Sequence, residues 1–241
     1  MFRQLREAAL KVYRDRTLRN MALYYFVFSA TPNSGTAFTY YLINEKKFSK
    51  SFMAIISVVS VLSGLAGLQF YKRFMIGLST RTALRISILV STLLGFVPLM
   101  LVTGFNQKIG IPDAYFALGD DVFESFAGYL SLIPMQRTVA ILCPEGSEGI
   151  VYAGFMSLSN SGSALSSYTA AVLTEWLGIT RTNYDNMYAL VLLCTLTNLI
   201  PYVFTSFLPD ASFARRKVKN AKGVTPSPPT SPAMSAVHAQ V

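Results

Sequence analysis

Apolar residues gather into six long runs, at about 21–43, 52–71, 83–104, 115–142, 150–177 and 187–208, separated by short polar stretches. Each run approaches or exceeds the ~20 residues that an α-helix needs to cross a hydrocarbon core. The fourth and fifth are long enough to tilt or kink. The connections carry turn chemistry, as in Gly110-Ile111-Pro112-Asp113 and Cys143-Pro144-Glu145-Gly146. No soluble domain fits between them. The pattern predicts an all-α membrane protein with six transmembrane helices over 21–209, a basic segment at 1–20 and a tail at 210–241.

The first run is interrupted at its midpoint by Ser29-Ala30-Thr31-Pro32-Asn33-Ser34-Gly35-Thr36. Five of these eight side chains bear a hydroxyl or an amide, and Pro32 removes a backbone donor. Irregular backbone at membrane depth survives only where protein buries it or a water-filled cavity touches it. In transporters such breaks lie at substrate sites. Thr31, Asn33 and Ser34 are therefore candidate cavity residues.

Composition agrees with the membrane reading. The chain is 52% hydrophobic and 14% charged, where soluble domains carry about 25% charge. The net charge of +9 comes from span edges and tails, with no basic, aromatic-interleaved module, so no nucleic-acid partner is expected. Fifteen Lys and Arg fall at 1–20, 72–85 and beyond 208, against five at Lys46, Lys47, Lys50, Lys108 and Arg181. Cytoplasmic loops carry the excess of basic residues. Both termini are thus expected in the cytoplasm, in the plasma membrane or an organelle envelope. The tail begins with basic residues suited to anionic headgroups and continues as a disordered Pro/Ser/Thr-rich stretch. Cys143 and Cys194 sit in or beside apolar segments and read as reduced, buried thiols.

Four ionisable residues interrupt the fourth run: Asp120, Asp121, Glu124 and Arg137. Such side chains are costly at membrane depth and usually line interiors or pathways. Asp120 and Glu124 share a helix face, which makes both proton-coupling candidates, while the two aspartates also fit an outer interface. Arg137 lies thirteen residues beyond Glu124, about 20 Å along a straight helix. It requires a carboxylate from another span or an anionic substrate, unless it snorkels to the membrane edge. In the fifth run nine of the thirteen residues from Ser157 to Thr169 bear hydroxyl or amide groups. Polar groups circle that helix, so Ser157, Asn160 and Ser163 join the candidate cavity. In the second run Ser60/Gly64 and Ser63/Gly67 suit close helix packing.

Enzymatic readings fare poorly. The one histidine, His238, lies in the tail, which removes Ser-His-Asp, Cys-His and common zinc arrangements. No phosphate-cradling P-loop is present. Neither a metal nor a cofactor is expected.

Ordered motifs then carry a resemblance. They are Ala30-Thr31-Pro32 with Ser34-Gly35-Thr36-Ala37-Phe38, and Leu101-Val102-Thr103-Gly104 with Asn106, Gly110-Ile111 and Asp113. Leu142-Cys143-Pro144-Glu145-Gly146 with Glu148, Met156-Ser157-Leu158-Ser159-Asn160, Leu177-Gly178-Ile179-Thr180 and Asp185-Asn186 complete the series. Over roughly 26–209 the chain resembles the C-terminal half of a folate–biopterin transporter, a branch of the major facilitator superfamily. The family pattern has an arginine just before Leu-Cys-Pro where this chain has Ile141, with Arg137 one turn earlier.

The resemblance implies six helices forming one half of a major-facilitator-type bundle. It implies proton-driven uptake of folate or a pteridine such as biopterin, with a missing N-terminal six-helix half or a second copy as partner. A carboxylate such as Glu124 or Asp121 would take the N–H edge of a pterin. Tyr25, Phe28 or Phe38 would stack on its rings, and Arg137 would hold a folate tail. Two rivals remain open: a non-transporting membrane partner or assembly protein, and a facilitator carrying another organic anion or heterocycle.

Overall fold

The computed structural model describes residues 15–142 and 148–208. The expectations for residues 1–14, for the turn holding Cys143 and for the tail from 209 lie outside the described residues. Among the described residues the regular elements are all helical.

The first run folds as α1 (Arg16–Ala30) and α2 (Gly35–Asn44). Asp15 caps α1 by accepting from the Thr17 and Leu18 amides, satisfying donors that have no partner within the helix. α1 ends because Pro32 pushes the preceding residue out of helical geometry; Thr31 is extended, with ψ 124°. The carbonyl of Thr31, left without a helical donor, accepts from Ser166 Oγ at 2.6 Å.

α3 (Lys50–Phe70) runs on through a single π turn, Tyr71–Met75. The third run divides into α4 (Thr80–Leu94) and α5 (Val97–Val102), with Pro98 in the first turn of α5. The short α6 (Phe105–Lys108) follows Gly104, whose φ of 67° suits a residue without a Cβ. α7 (Asp113–Leu142) is continuous through Pro134, and α8 (Glu148–Trp176) follows it. The last run forms α9 (Met187–Thr197), α10 (Ile200–Phe204) and a closing 3-10 turn, Thr205–Phe207, with Pro201 near the start of α10.

Three stretches, Lys50–Met75, Thr80–Val102 and Met187–Phe207, are long and apolar enough to cross a membrane. That is a coarser result than six spans. α7 and α8 have the length, at 30 and 29 residues. However, α7 carries five charged side chains and α8 its run of hydroxyls, and the first run is cut in two. The outer faces are strongly apolar: Val58, Val61 and Leu62 on α3 are each at least 60% exposed, as suits side chains that face lipid rather than water.

α7 packs between α3 and α4, and α8 packs along α1. The α3–α7 contact uses the small residues expected there. Ser63 Oγ donates to the Val122 carbonyl at 2.6 Å, and Gly67 lies directly against the backbone of Phe126. Gly162 of α8 meets Ser29, Phe26 and Ala30 of α1 equally closely.

Three apolar clusters fill the interior, the two larger toward opposite ends. One gathers Phe38, Tyr41, Leu42, Leu101, Met187 and Leu190; the other gathers Leu18, Met21, Tyr25, Met135, Phe155 and Leu208. Beyond the first cluster, Lys46 Nζ lies 2.8 Å from Asp113 Oδ2, and Asn106 Nδ2 donates to Asp113 Oδ1 at 2.6 Å. Burial works to raise the Asp113 carboxyl, but hydrogen bonds from Lys46, Asn106 and Gln107, with the lysine charge, hold it below its ordinary value. A lowered carboxyl contributes stability that is fully present above its unfolded value and is lost as pH falls through the native one. Asp113→Asn should therefore cost about 1 kcal/mol near neutrality, with the difference shrinking below the usual carboxylate range. Acid titration of helicity checks this; parallel curves for the two proteins would refute it.

Candidate functional site

Between the two larger apolar clusters lies a cavity of about 270 Å³. Four columns of helix reach it, and three are broken at its level: α1–α2 at Thr31–Ser34, α4–α5 at Gly95–Phe96, and α9–α10 at Asn198–Leu199. Each break places a proline at or just after the interruption, Pro32, Pro98 and Pro201, and all three line the cavity. Breaks free backbone groups that must be satisfied, and here side chains from neighbouring helices do so. Thr195 Oγ1 donates to the Gly95 carbonyl at 2.9 Å, as Ser166 does to Thr31.

The fourth column is the unbroken α7, which contributes Asp120, Glu124, Ala127, Gly128 and Ser131. Asp120 and Glu124, one turn apart, face the same space, as their spacing predicts. Asn33 bridges the break to α7: its Oδ1 accepts from the Gly35 amide, and its Nδ2 donates to Glu124 Oε1 at 3.2 Å. One amide thus caps α2 and binds a carboxylate on another column. Thr31 and Ser34 line the cavity beside it.

Other expected site residues lie elsewhere. Asp121 is half-buried on α7 and does not line the cavity. Arg137 is exposed and donates from Nη1 to the Ile76 carbonyl at 2.8 Å. Its partner is a backbone carbonyl just past the π turn of α3, where carbonyls lack helical donors, rather than a carboxylate or the cavity. Ser157, Asn160 and Ser163 occupy the exposed face of α8, while Ser159 and Ser166 face α1. Tyr25 is unavailable for stacking on a ligand, because it is 2% exposed and packs edge-on against Phe155 at 5.7 Å. Phe28 and Phe38 do line the cavity.

Sequence reasoning missed the contributions of Ser91, Thr195 and Asn198, which reach the cavity from α4, α9 and the break that follows α9. The available signal was weak: a proline a few residues after Gly95 and after Asn198, each inside an otherwise apolar run.

Comparison with known proteins gives this arrangement a family. The sequence profile described as the BT1 family matches residues 1–226. The chain belongs to the BT1 family. It is 35% identical over 216 residues to a folate-biopterin transporter of Synechocystis sp. (strain ATCC 27184 / PCC 6803 / Kazusa), covering 90% of this chain and 44% of that protein. To folate transporter 1 of Plasmodium falciparum (isolate 3D7) it is 29% identical over 195 residues, covering 81% of this chain and 39% of the relative. To probable folate-biopterin transporter 2 of Arabidopsis thaliana it is 33% identical over 121 residues, half of this chain and 24% of the relative. The chain spans less than half the length of these relatives. No solved structure matches it. Family membership and the span-capable helices make this BT1 chain part of an integral membrane protein.

Proposed function

We propose that the complete protein is a secondary active transporter of a pteridine or folate, and that this chain forms one six-helix half of it. The observation that carries the reading is the polar cavity at the level of three helix breaks, with two carboxylates on its α7 wall. A half that only braced a membrane assembly has no need to keep Asp120 and Glu124 beside an open space, given what such groups cost at that depth. The names of the relatives point to folate and biopterin as the substrate class.

Size bears on which part of the substrate sits here. About 270 Å³ is close to the lower end of the ~300–1,000 Å³ typical of small-molecule sites. That suits a flat bicyclic ring better than a whole folate, and Arg137 stands apart from the cavity. The reading therefore rests on the pteridine rings, with Phe28 and Phe38 as stacking faces. In this proposal transport proceeds by alternating access, with an N-terminal six-helix half or a second copy closing the other side. The polar outer face of α8, with Ser157, Asn160 and Ser163, then borders the pathway. Both termini face the cytoplasm, in keeping with the charge bias.

Glu124 is the proton-coupling group in this scheme. It is exposed to the mouth of the cavity, and Asn33 links it to the broken span. Asp120 is the second candidate, deeper in the wall. The direct test is uptake of labelled biopterin and folate by the complete protein in a transport-deficient host, with and without a proton gradient. Gradient-dependent accumulation of either compound is expected. Accumulation of neither would remove the assignment.

A further inference from the structure

Of the three carboxylates Asp120, Asp121 and Glu124 on α7, Asp120 stands apart in its surroundings. Asp121 does not line the cavity, and Glu124 is exposed and already accepts from Asn33. Asp120 lines the cavity, is only 7% exposed, and makes no side-chain hydrogen bond among the described residues. Its oxygens are not sealed in the protein but open onto the cavity, and a mostly buried carboxylate left open there marks where a partner belongs.

A second observation lies on the same wall. Gly128, two turns from Asp120, lines the cavity, and a Cβ built there meets nothing within 4 Å. Gly64, Gly67 and Gly162 differ in kind: a Cβ there falls within 2.5–2.7 Å of Tyr129, Phe126 or Ser29. Helix packing accounts for those three glycines and not for Gly128. What Gly128 preserves is open space on the wall that carries Asp120.

Resting on the carrier reading above, we propose that Asp120 and Gly128 form the subsite for the substrate's ring edge. Asp120 receives two adjacent N–H donors of a 2-amino-4-oxo heterocycle, and Gly128 leaves room for the flat ring. This reassigns the edge contact from Glu124 and Asp121 and leaves Glu124 free for the proton. A carboxylate presents two oxygens side by side and so matches paired donors. A 2,4-dioxo ring has no two adjacent donors, and its 2-carbonyl would set oxygen against oxygen. Sites built for a hydrogen-bonding edge reject analogues that lack it, because buried groups are left unpaired.

The test is equilibrium binding of pterin and of its 2,4-dioxo analogue lumazine to the complete purified carrier, at one pH and without a gradient. Wild type should prefer pterin by at least ~10-fold, and Asp120→Asn should reduce that preference to within about threefold by weakening pterin alone. Gly128→Val, whose Cβ meets nothing within 4 Å, should keep the wild-type melting temperature while weakening both rings by at least ~10-fold. If Asp120→Asn keeps the pterin preference, the subsite is refuted. Should that variant fail to fold, Gly128→Val decides, and unchanged affinities there refute it too. Wild type that binds neither ring removes the carrier reading, and this subsite with it.

Discussion

Glu124→Gln in the complete carrier should cut gradient-driven pteridine uptake by at least ~10-fold, equivalent to about 1.4 kcal/mol or more, while exchange of substrate across the membrane without a gradient persists. Glutamine keeps the size of the side chain and an oxygen for Asn33 to donate to. The proton site goes and the hydrogen bond stays. Loss of accumulation with retained exchange is therefore the mark of a coupling group, whereas loss of both would make Glu124 a structural or substrate contact. Unchanged uptake would remove it from the mechanism.

The Asn33 contact supplies an internal control. Asn33→Asp alone sets a second carboxylate against Glu124, and like charges at that distance repel. Combined with Glu124→Gln, the amide and the carboxylate have simply changed places. The aspartate can still cap the Gly35 amide, and the glutamine can donate to it. The double variant should exceed Asn33→Asp in stability, although it lacks the proposed coupling group and should not accumulate substrate.

Gly67→Ala carries the largest expected effect on folding. The added Cβ would lie 2.6 Å from the Phe126 carbonyl oxygen, closer than such atoms approach, and the obstacle is backbone that cannot rotate aside. α3 and α7 would have to part along their shared face, and overpacking of this kind costs about 1–3 kcal/mol. Gly128→Ala, one helix face away on α7 and in open space, should be close to neutral. A clear drop in melting temperature for the first and none for the second is the expected pair. Equal stability of Gly67→Ala and wild type would show that α3 and α7 do not meet at this residue.

Much of this fold is legible along the chain because membranes impose simple rules. Long apolar runs mark the helices, Pro32 marks the break in the first, and small residues at Ser63 and Gly67 mark where α3 meets α7. The spacing of Asp120 and Glu124 already places them on one face. The breaks at Gly95 and Asn198 were harder to see, because the prolines sit inside runs that otherwise read as continuous spans. Arg137 shows the converse case. Its need for a partner follows from its position, but that partner is the Ile76 carbonyl, and no side-chain pattern advertises a backbone oxygen.

Taken alone, the sequence determined that the chain is helical, that its helices can enter a membrane, and that one of them is interrupted by polar residues. Those properties follow from local quantities: run length, hydropathy and backbone chemistry. Only the tertiary structure decided which polar groups share a space. It brought the three breaks to one level against α7, gave Asn33 to Glu124, and left Asp120 lining a cavity with no side-chain hydrogen bond among the described residues. It also turned Ser157, Asn160 and Ser163 outward and buried Tyr25. The physical reason is that a helix carries residues on every side, and only packing against particular neighbours decides which side becomes the wall of a cavity.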